Sequence, residues 1–255
     1  MDWALRCMVA SLVKAVLAVM LGLGVSAHAA DTRVAVATNF RDACTEIGQA
    51  FGMATGHRAV FSFGSTGQLY AQIVQGAPYD VFLAADEARV GRALAEGLAI
   101  EGSRQTYATG RLVLFSMDKS LVNGPETLAS ASFRRLAIAD PAVAPYGIAA
   151  IQVLRALAVH DRIRDRVVRG QNVAQAYQFV YSGNADLGLM AQSQVALHEQ
   201  GSRWVVPERL HEPIKQDAVL LRHGAANVAA RAFLEFLRGP QADAVRARFG
   251  YGLAR

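Results

Sequence analysis

The sequence predicts an α/β fold in two lobes, each a mixed, mainly parallel sheet flanked by helices. Three observations lead there. Short apolar stretches suited to buried strands alternate with runs whose apolar residues recur at helical spacing. The stretch at 61–86, FSFGSTGQLYAQIVQGAPYDVFLAAD, reads in this way as strand, tight polar turn, helix and strand. Polar turns rich in Thr, Asn, Ser and Gly sit where strands hand over to helices. Two strongly apolar strands far apart in the chain, at 111–117 and 217–221, serve as crossings, so that residues 31–110 with 222–255 form lobe 1 and residues 111–221 form lobe 2. The 255 residues, 53% apolar and 18% charged, supply ample core for this and exclude a disordered chain.

Residues 1–29 read as a secretory signal. Arg6 and Lys14 flank the start of an apolar run, AVLAVMLGLGV at 15–25, and Ala27-His28-Ala29 offers small residues for cleavage. The run falls short of the roughly 20 residues that span a bilayer, and Cys7 precedes it, so a cleaved peptide and an exported soluble protein are expected. Cys44 is then the only cysteine; it can form no intramolecular disulfide and is expected in the core. The net charge of +5 arises from arginines scattered among acids, as in HDRIRDRVVRG at 160–170, which predicts a solvated helix face and no nucleic-acid surface.

Taken in order, RVAVA at 33–37 is a strand broken by Thr38-Asn39-Phe40, after which Ala43, Ile47, Ala50 and Phe51 share a helical face. The strand at 59–63 follows and ends in Gly64-Ser65-Thr66-Gly67. There hydroxyls meet a helix start carrying unpaired N–H groups and the positive end of the peptide dipoles, a binding place for an anion. Gly76-Ala77-Pro78 stops that helix; 80–84 is a strand, 90–98 a short helix, and Tyr107-Ala108-Thr109-Gly110 leads into the crossing strand at 111–117. Beyond the first crossing, Leu136–Ala139 is a strand, and Pro145 suits the first turn of the helix that follows. Asn172-Val173 opens another helix, 185–190 and 204–207 are strands, and two tail helices pack back on lobe 1.

The turns of both lobes are rich in uncharged donors and poor in acids. Such a cleft suits a fully deprotonated oxyanion, which only accepts hydrogen bonds, and disfavours a protonated or smaller ion. Over essentially all of the chain beyond the signal, the sequence resembles the periplasmic molybdate-binding proteins of ABC importers. The carriers are Val36-Ala37-Thr38-Asn39-Phe40, Gly64-Ser65-Thr66-Gly67, Tyr70-Ala71-Gln72-Ile73, GAPYDVFLAADE at 76–87, Asp140-Pro141, APYG at 144–147, Asn172-Val173, NADLGLM at 184–190, FLEFLRGPQA at 233–242 and Phe249-Gly250-Tyr251. The resemblance implies a type II periplasmic-binding-protein clamshell, located in the periplasm, that closes on molybdate or tungstate without cofactor, metal ligand or charged side chain. It further implies a membrane permease as partner, and a monomer is expected. Carried over position by position, it implies Thr38, Asn39 and Thr66 as ligands of the first lobe, with Ser65 beside them, and the backbone N–H groups of Tyr146 and Val173 in the second. Many relatives carry a tyrosine where this chain has Ala191; the Thr38-Asn39 form of the first turn resembles the subgroup that binds without it.

Rival readings fare worse on the residues. Neither a G-x-x-x-x-G-K-[ST] loop nor a G-x-S-x-G elbow is present, and the six histidines have no metal-ligand spacing, so no enzyme is expected. Asp80, Asp86 and Asp140 are expected to cap turns and hinges. Tyr146 and Tyr177 do not form the adjacent tyrosine pair of a ferric site, and no DNA-binding helix-turn-helix precedes the fold as in a regulator. Sulfate, also proton-free, is the alternative ligand.

Overall fold

The computed structural model describes residues 29–252, so nearly all of the predicted signal lies outside the described residues. β1 (Asp31–Ala37), α1 (Arg41–Thr55), β2 (Arg58–Gly64), α2 (Thr66–Val74), β3 (Val81–Leu83), α3 (Ala88–Ala95) and β4 (Gln105–Gly110) build most of a first sheet and its cover. β5 (Leu112–Ser116) then begins a second sheet, followed by α4 (Glu126–Ser130), β6 (Leu136–Ala139), α5 (Pro145–Ala156), α6 (His160–Ile163), β7 (Val167–Gly170), α7 (Val173–Tyr181), β8 (Leu187–Ala191) and β9 (Ser202–Val205). β10 (Ile214–Leu220) returns to the first sheet, and α8 (Val228–Leu237) with α9 (Pro240–Arg248) closes the chain.

The strand orders are β2-β1-β3-β10-β4 and β7-β6-β8-β5-β9. In each five-stranded sheet the first three strands pair in parallel, and the fourth, β10 or β5, arrives from the other sheet and is antiparallel to both neighbours, so that the edge strand β4 or β9 runs in the direction of the first three. The two sheets are thus built to one plan and joined twice, which gives the expected mixed, mainly parallel α/β architecture.

Burial explains why the strands read as unbroken apolar runs. Val34 and Val36 of β1, Val81 and Leu83 of β3, and Ala218 and Leu220 of β10 face a core with Phe40, Phe51 and Phe233. The alternate residues Ala35, Phe82 and Val219 face a second core with Leu69, Tyr70 and Val90. Successive side chains point to opposite faces, so a sheet covered on both sides needs an apolar residue at every position. Cys44 is fully buried in the first of these cores.

Three expectations change. Residues 160–170 are not one solvated helix: α6 and a single 3-10 turn end at Arg166, and Val167–Gly170 pairs in parallel with β6 as an edge strand. A half-exposed edge strand tolerates charge, which blurs its period. The lead-in at 107–110 belongs to a strand of its own, β4, paired with β10. The stretch 217–221, assigned to lobe 2, lies in the first sheet against β3 and β4, so the return crossing falls within residues 206–213. An apolar run announces burial but carries no mark of which sheet buries it.

Candidate functional site

Four parallel strands, two from each sheet, end at the candidate residues. β1 runs into a single 3-10 turn formed by Thr38, Asn39 and Phe40, all buried. β2 runs into Ser65, the N-cap of α2, and Thr66, its first residue. β6 leads through Asp140 to Pro145 and Tyr146 at the start of α5, and β7 leads to Asn172, the N-cap of α7, and Val173. At each start the first N–H groups have no partner within the helix, and Pro145 at the first position loses nothing by lacking one.

Local chemistry fixes these starts. Ser65 Oγ accepts the Gln68 N–H and Gln68 Oε1 accepts the Ser65 N–H, both at 3.3 Å, a reciprocal box that leaves Ser65 only its hydroxyl hydrogen to give. Thr66 Oγ1 accepts the Ala85 N–H at 3.0 Å, so its own hydrogen is likewise free to donate elsewhere. Asn172 Oδ1 accepts the Gln175 N–H at 3.0 Å. Two of the acids close local turns, Asp86 Oδ1 accepting from Arg89 N–H at 2.9 Å and Asp140 Oδ1 from Ala142 N–H at 3.1 Å, whereas Asp80 caps no turn and instead accepts from Arg33 N–H of β1 at 2.8 Å.

The starts from the two sheets meet. Gly67 N–H donates to Val143 O at 2.9 Å, joining the Thr66 turn to the approach of α5. Ser193 Oγ, just after β8, donates to Asn39 O at 2.7 Å, and the next residue, Gln194, donates to Val173 O at 3.2 Å. Ala37 and Ala85 of the first sheet share one buried cluster with Tyr146 and Val173 of the second. The six candidates Thr38, Asn39, Ser65, Thr66, Tyr146 and Val173 therefore lie on one connected set of contacts.

Beneath them runs a polar network that sequence reasoning missed. Asn39 Nδ2 donates to Gln216 Oε1 at 2.8 Å and to Tyr251 Oη at 3.2 Å; with both amide hydrogens spent, Asn39 keeps only its backbone N–H for a ligand. Tyr107 Oη donates to the same Gln216 oxygen at 3.0 Å, and Gln216 Nε2 donates to Tyr146 Oη at 3.2 Å. Burial pushes the phenols of Tyr107, Tyr146 and Tyr251 well above their ordinary range, so all three are neutral donors. The one signal in the sequence was Gln216-Asp217 directly before the apolar run at 218–221, a polar pair that demands partners where the strand is buried. Ala191, at the end of β8, is fully buried and offers no side-chain donor. Among the described residues, no group of three or more His, Cys, Asp or Glu is placed to hold a metal ion.

The model of the bacterial extracellular solute-binding proteins matches residues 32–252. A molybdate-binding protein of Rhodobacter capsulatus is 46% identical over 92% of this chain and 93% of its own. One from Azotobacter vinelandii is 46% identical over 93% of this chain and 97% of its own. The solved periplasmic molybdate-binding protein of Azotobacter vinelandii superposes with a TM-score of 0.85 at 40% identity, covering 88% of this chain and 100% of that one. The sulfate-binding protein of Mycobacterium tuberculosis reaches a TM-score of 0.73 at 14% identity over 89% of this chain and 88% of its own, a likeness of fold alone.

Proposed function

The chain belongs to the bacterial extracellular solute-binding proteins, in the group formed with its molybdate-binding relatives, and from that premise we propose how it works. It is the soluble binding component of a molybdate or tungstate importer, held in the periplasm, and it hands its anion to a membrane permease. It performs no catalysis and needs no cofactor, and it acts as a monomer. Its lobes are residues 31–110 with 214–252, and residues 111–213.

The observation that carries this reading is the convergence of four strand ends, two from each sheet, on helix starts bearing uncharged donors. The carboxyl ends of parallel strands are where α/β sheets take ligands, and helix starts attract anions. The donors proposed are the hydroxyls of Thr38, Ser65 and Thr66 and the backbone N–H groups of Asn39, Tyr146 and Val173. A fixed set of such donors offers no carboxylate to take a protonated oxyanion's hydrogen, and it leaves some donors unpaired around a smaller ion such as sulfate.

A thermal-shift panel of oxyanions on the protein lacking residues 1–29 tests the proposal. Molybdate and tungstate raise the melting temperature, because a ligand bound only by the folded state stabilises it by RT ln(1 + [L]/Kd), while equal sulfate leaves it nearly unchanged. A larger shift with sulfate, or none with any oxyanion, overturns it.

A further inference from the structure

We propose that Gln216 is a positioning residue of the anion site. Its carboxamide, on the strand that returns the chain to the first sheet, holds the Thr38-Asn39 turn and the Tyr146 helix start in one arrangement and so sets how firmly the two half-sites close on an oxyanion. This rests on the function proposed above.

Gln216 is fully buried, and its amide bonds Asn39, Tyr107 and Tyr146. These partners sit on the turn after β1, on β4 and on α5, so one side chain touches both half-sites and the strand beside the first crossing. The sense of the bonds is forced. Asn39 Nδ2 only donates, so Gln216 Oε1 faces it; Nε2 then faces Tyr146 Oη, which accepts. Turning the amide over would set Gln216 Nε2 against Asn39 Nδ2, donor against donor, whereas the hydroxyls of Tyr107 and Tyr146 can serve either sense.

The backbone is shaped to this end. The pairing of β10 with β4 shifts register between Gln216 and Asp217, an irregularity of the kind that re-aims a side chain. On β4, a Cβ on Gly110 would stand 2.6 Å from Gln216 Nε2 and overlap Tyr146 Oη. Only glycine lets the strand pass so close beneath the network. A buried amide in an apolar strand costs stability unless it is fully bonded, and here its bonds run to the parts of the molecule that must come together around the ligand. Donors held in place before binding lose less freedom when the anion arrives.

Gln216→Met keeps the length and packing of the side chain and removes the polar links; Tyr146→Phe removes a single hydroxyl and keeps the Tyr146 N–H. Molybdate association and dissociation are followed by stopped-flow intrinsic fluorescence, and molybdate-induced compaction by small-angle X-ray scattering. Gln216→Met is expected to lose about tenfold in affinity, almost all of it as faster dissociation, with less compaction on binding. Tyr146→Phe shifts dissociation in the same direction by less, and the double variant loses no more than Gln216→Met alone. A purely structural role would lower the melting temperature without changing dissociation or compaction, and wild-type dissociation in both single variants overturns the proposal. Should Gln216→Met not fold, Tyr146→Phe decides: faster release supports positioning and unchanged release refutes it. A wild-type protein that binds no molybdate overturns the proposed function instead, whereas wild-type binding with unaffected variants overturns only the role of Gln216.

Discussion

At the scale of single residues, the candidate ligands differ in which atom is left to serve. Thr66 gives its oxygen to the Ala85 N–H and keeps its hydrogen, whereas Val173 has only its backbone N–H to offer. Thr66→Ala is therefore expected to weaken molybdate binding by about ten- to over a hundredfold, the worth of a hydrogen bond to a charged group at roughly 1.5–3 kcal/mol. It also lowers stability, because the Ala85 N–H loses its partner. Thr66→Ser restores both, and Val173→Ala binds nearly as wild type; calorimetry ranking Val173→Ala as the weaker binder would refute these assignments. That a hydroxyl at 65–66 caps a helix was legible in the sequence, since Ser followed three residues on by Gln marks such a start. That Asn39 turns its side chain inward was not, because Gln216 and Tyr251, its partners, lie far along the chain.

At the scale of elements, the meeting of α2 with the approach to α5 depends on Gly67. A Cβ there would lie 3.0 Å from Val143 O and 3.1 Å from Val143 Cα, against the backbone of the opposing segment. Gly67→Ala is expected to act with opposite signs on two measurements. Alanine in the first turn of a helix favours the helical state by up to about 1 kcal/mol, so the melting temperature of the ligand-free protein holds or rises. The added methyl meanwhile keeps the two helix starts apart, and molybdate affinity falls. A variant that melts lower and binds as wild type would contradict this contact. Most helices and most strands followed from apolar period and turn residues, though the short α4 did not. β4, the edge strand β7 and the sheet membership of β10 did not, because each is defined by its partner across the sheet.

At the scale of the whole molecule, the two sheets are joined by β5, by β10 and by a buried set of phenols. Tyr107, Tyr146 and Tyr251 are held protonated by burial, above the ordinary phenol value of about 10 that the unfolded chain retains. The sign follows from proton counting. Above about pH 10 the unfolded chain has released these protons while the folded one keeps them, so stability is fully present below that pH and is lost as pH rises towards the folded values. The melting temperature is expected to fall progressively above about pH 10, and Tyr251→Phe to flatten that fall; a slope unchanged in the variant would exclude Tyr251 from the effect. The sequence alone determined the α/β class, the alternation of elements, the uncharged character of the turns and the residues at the helix starts, because these depend on neighbours a few positions apart. Only the tertiary structure decided which strands share a sheet, where the chain crosses back, and that Gln216 lies under both halves of the site. Those are pairings between residues tens of positions apart, 70 for Gln216 and Tyr146 and 177 for Asn39 and Gln216, on which local periodicity is silent.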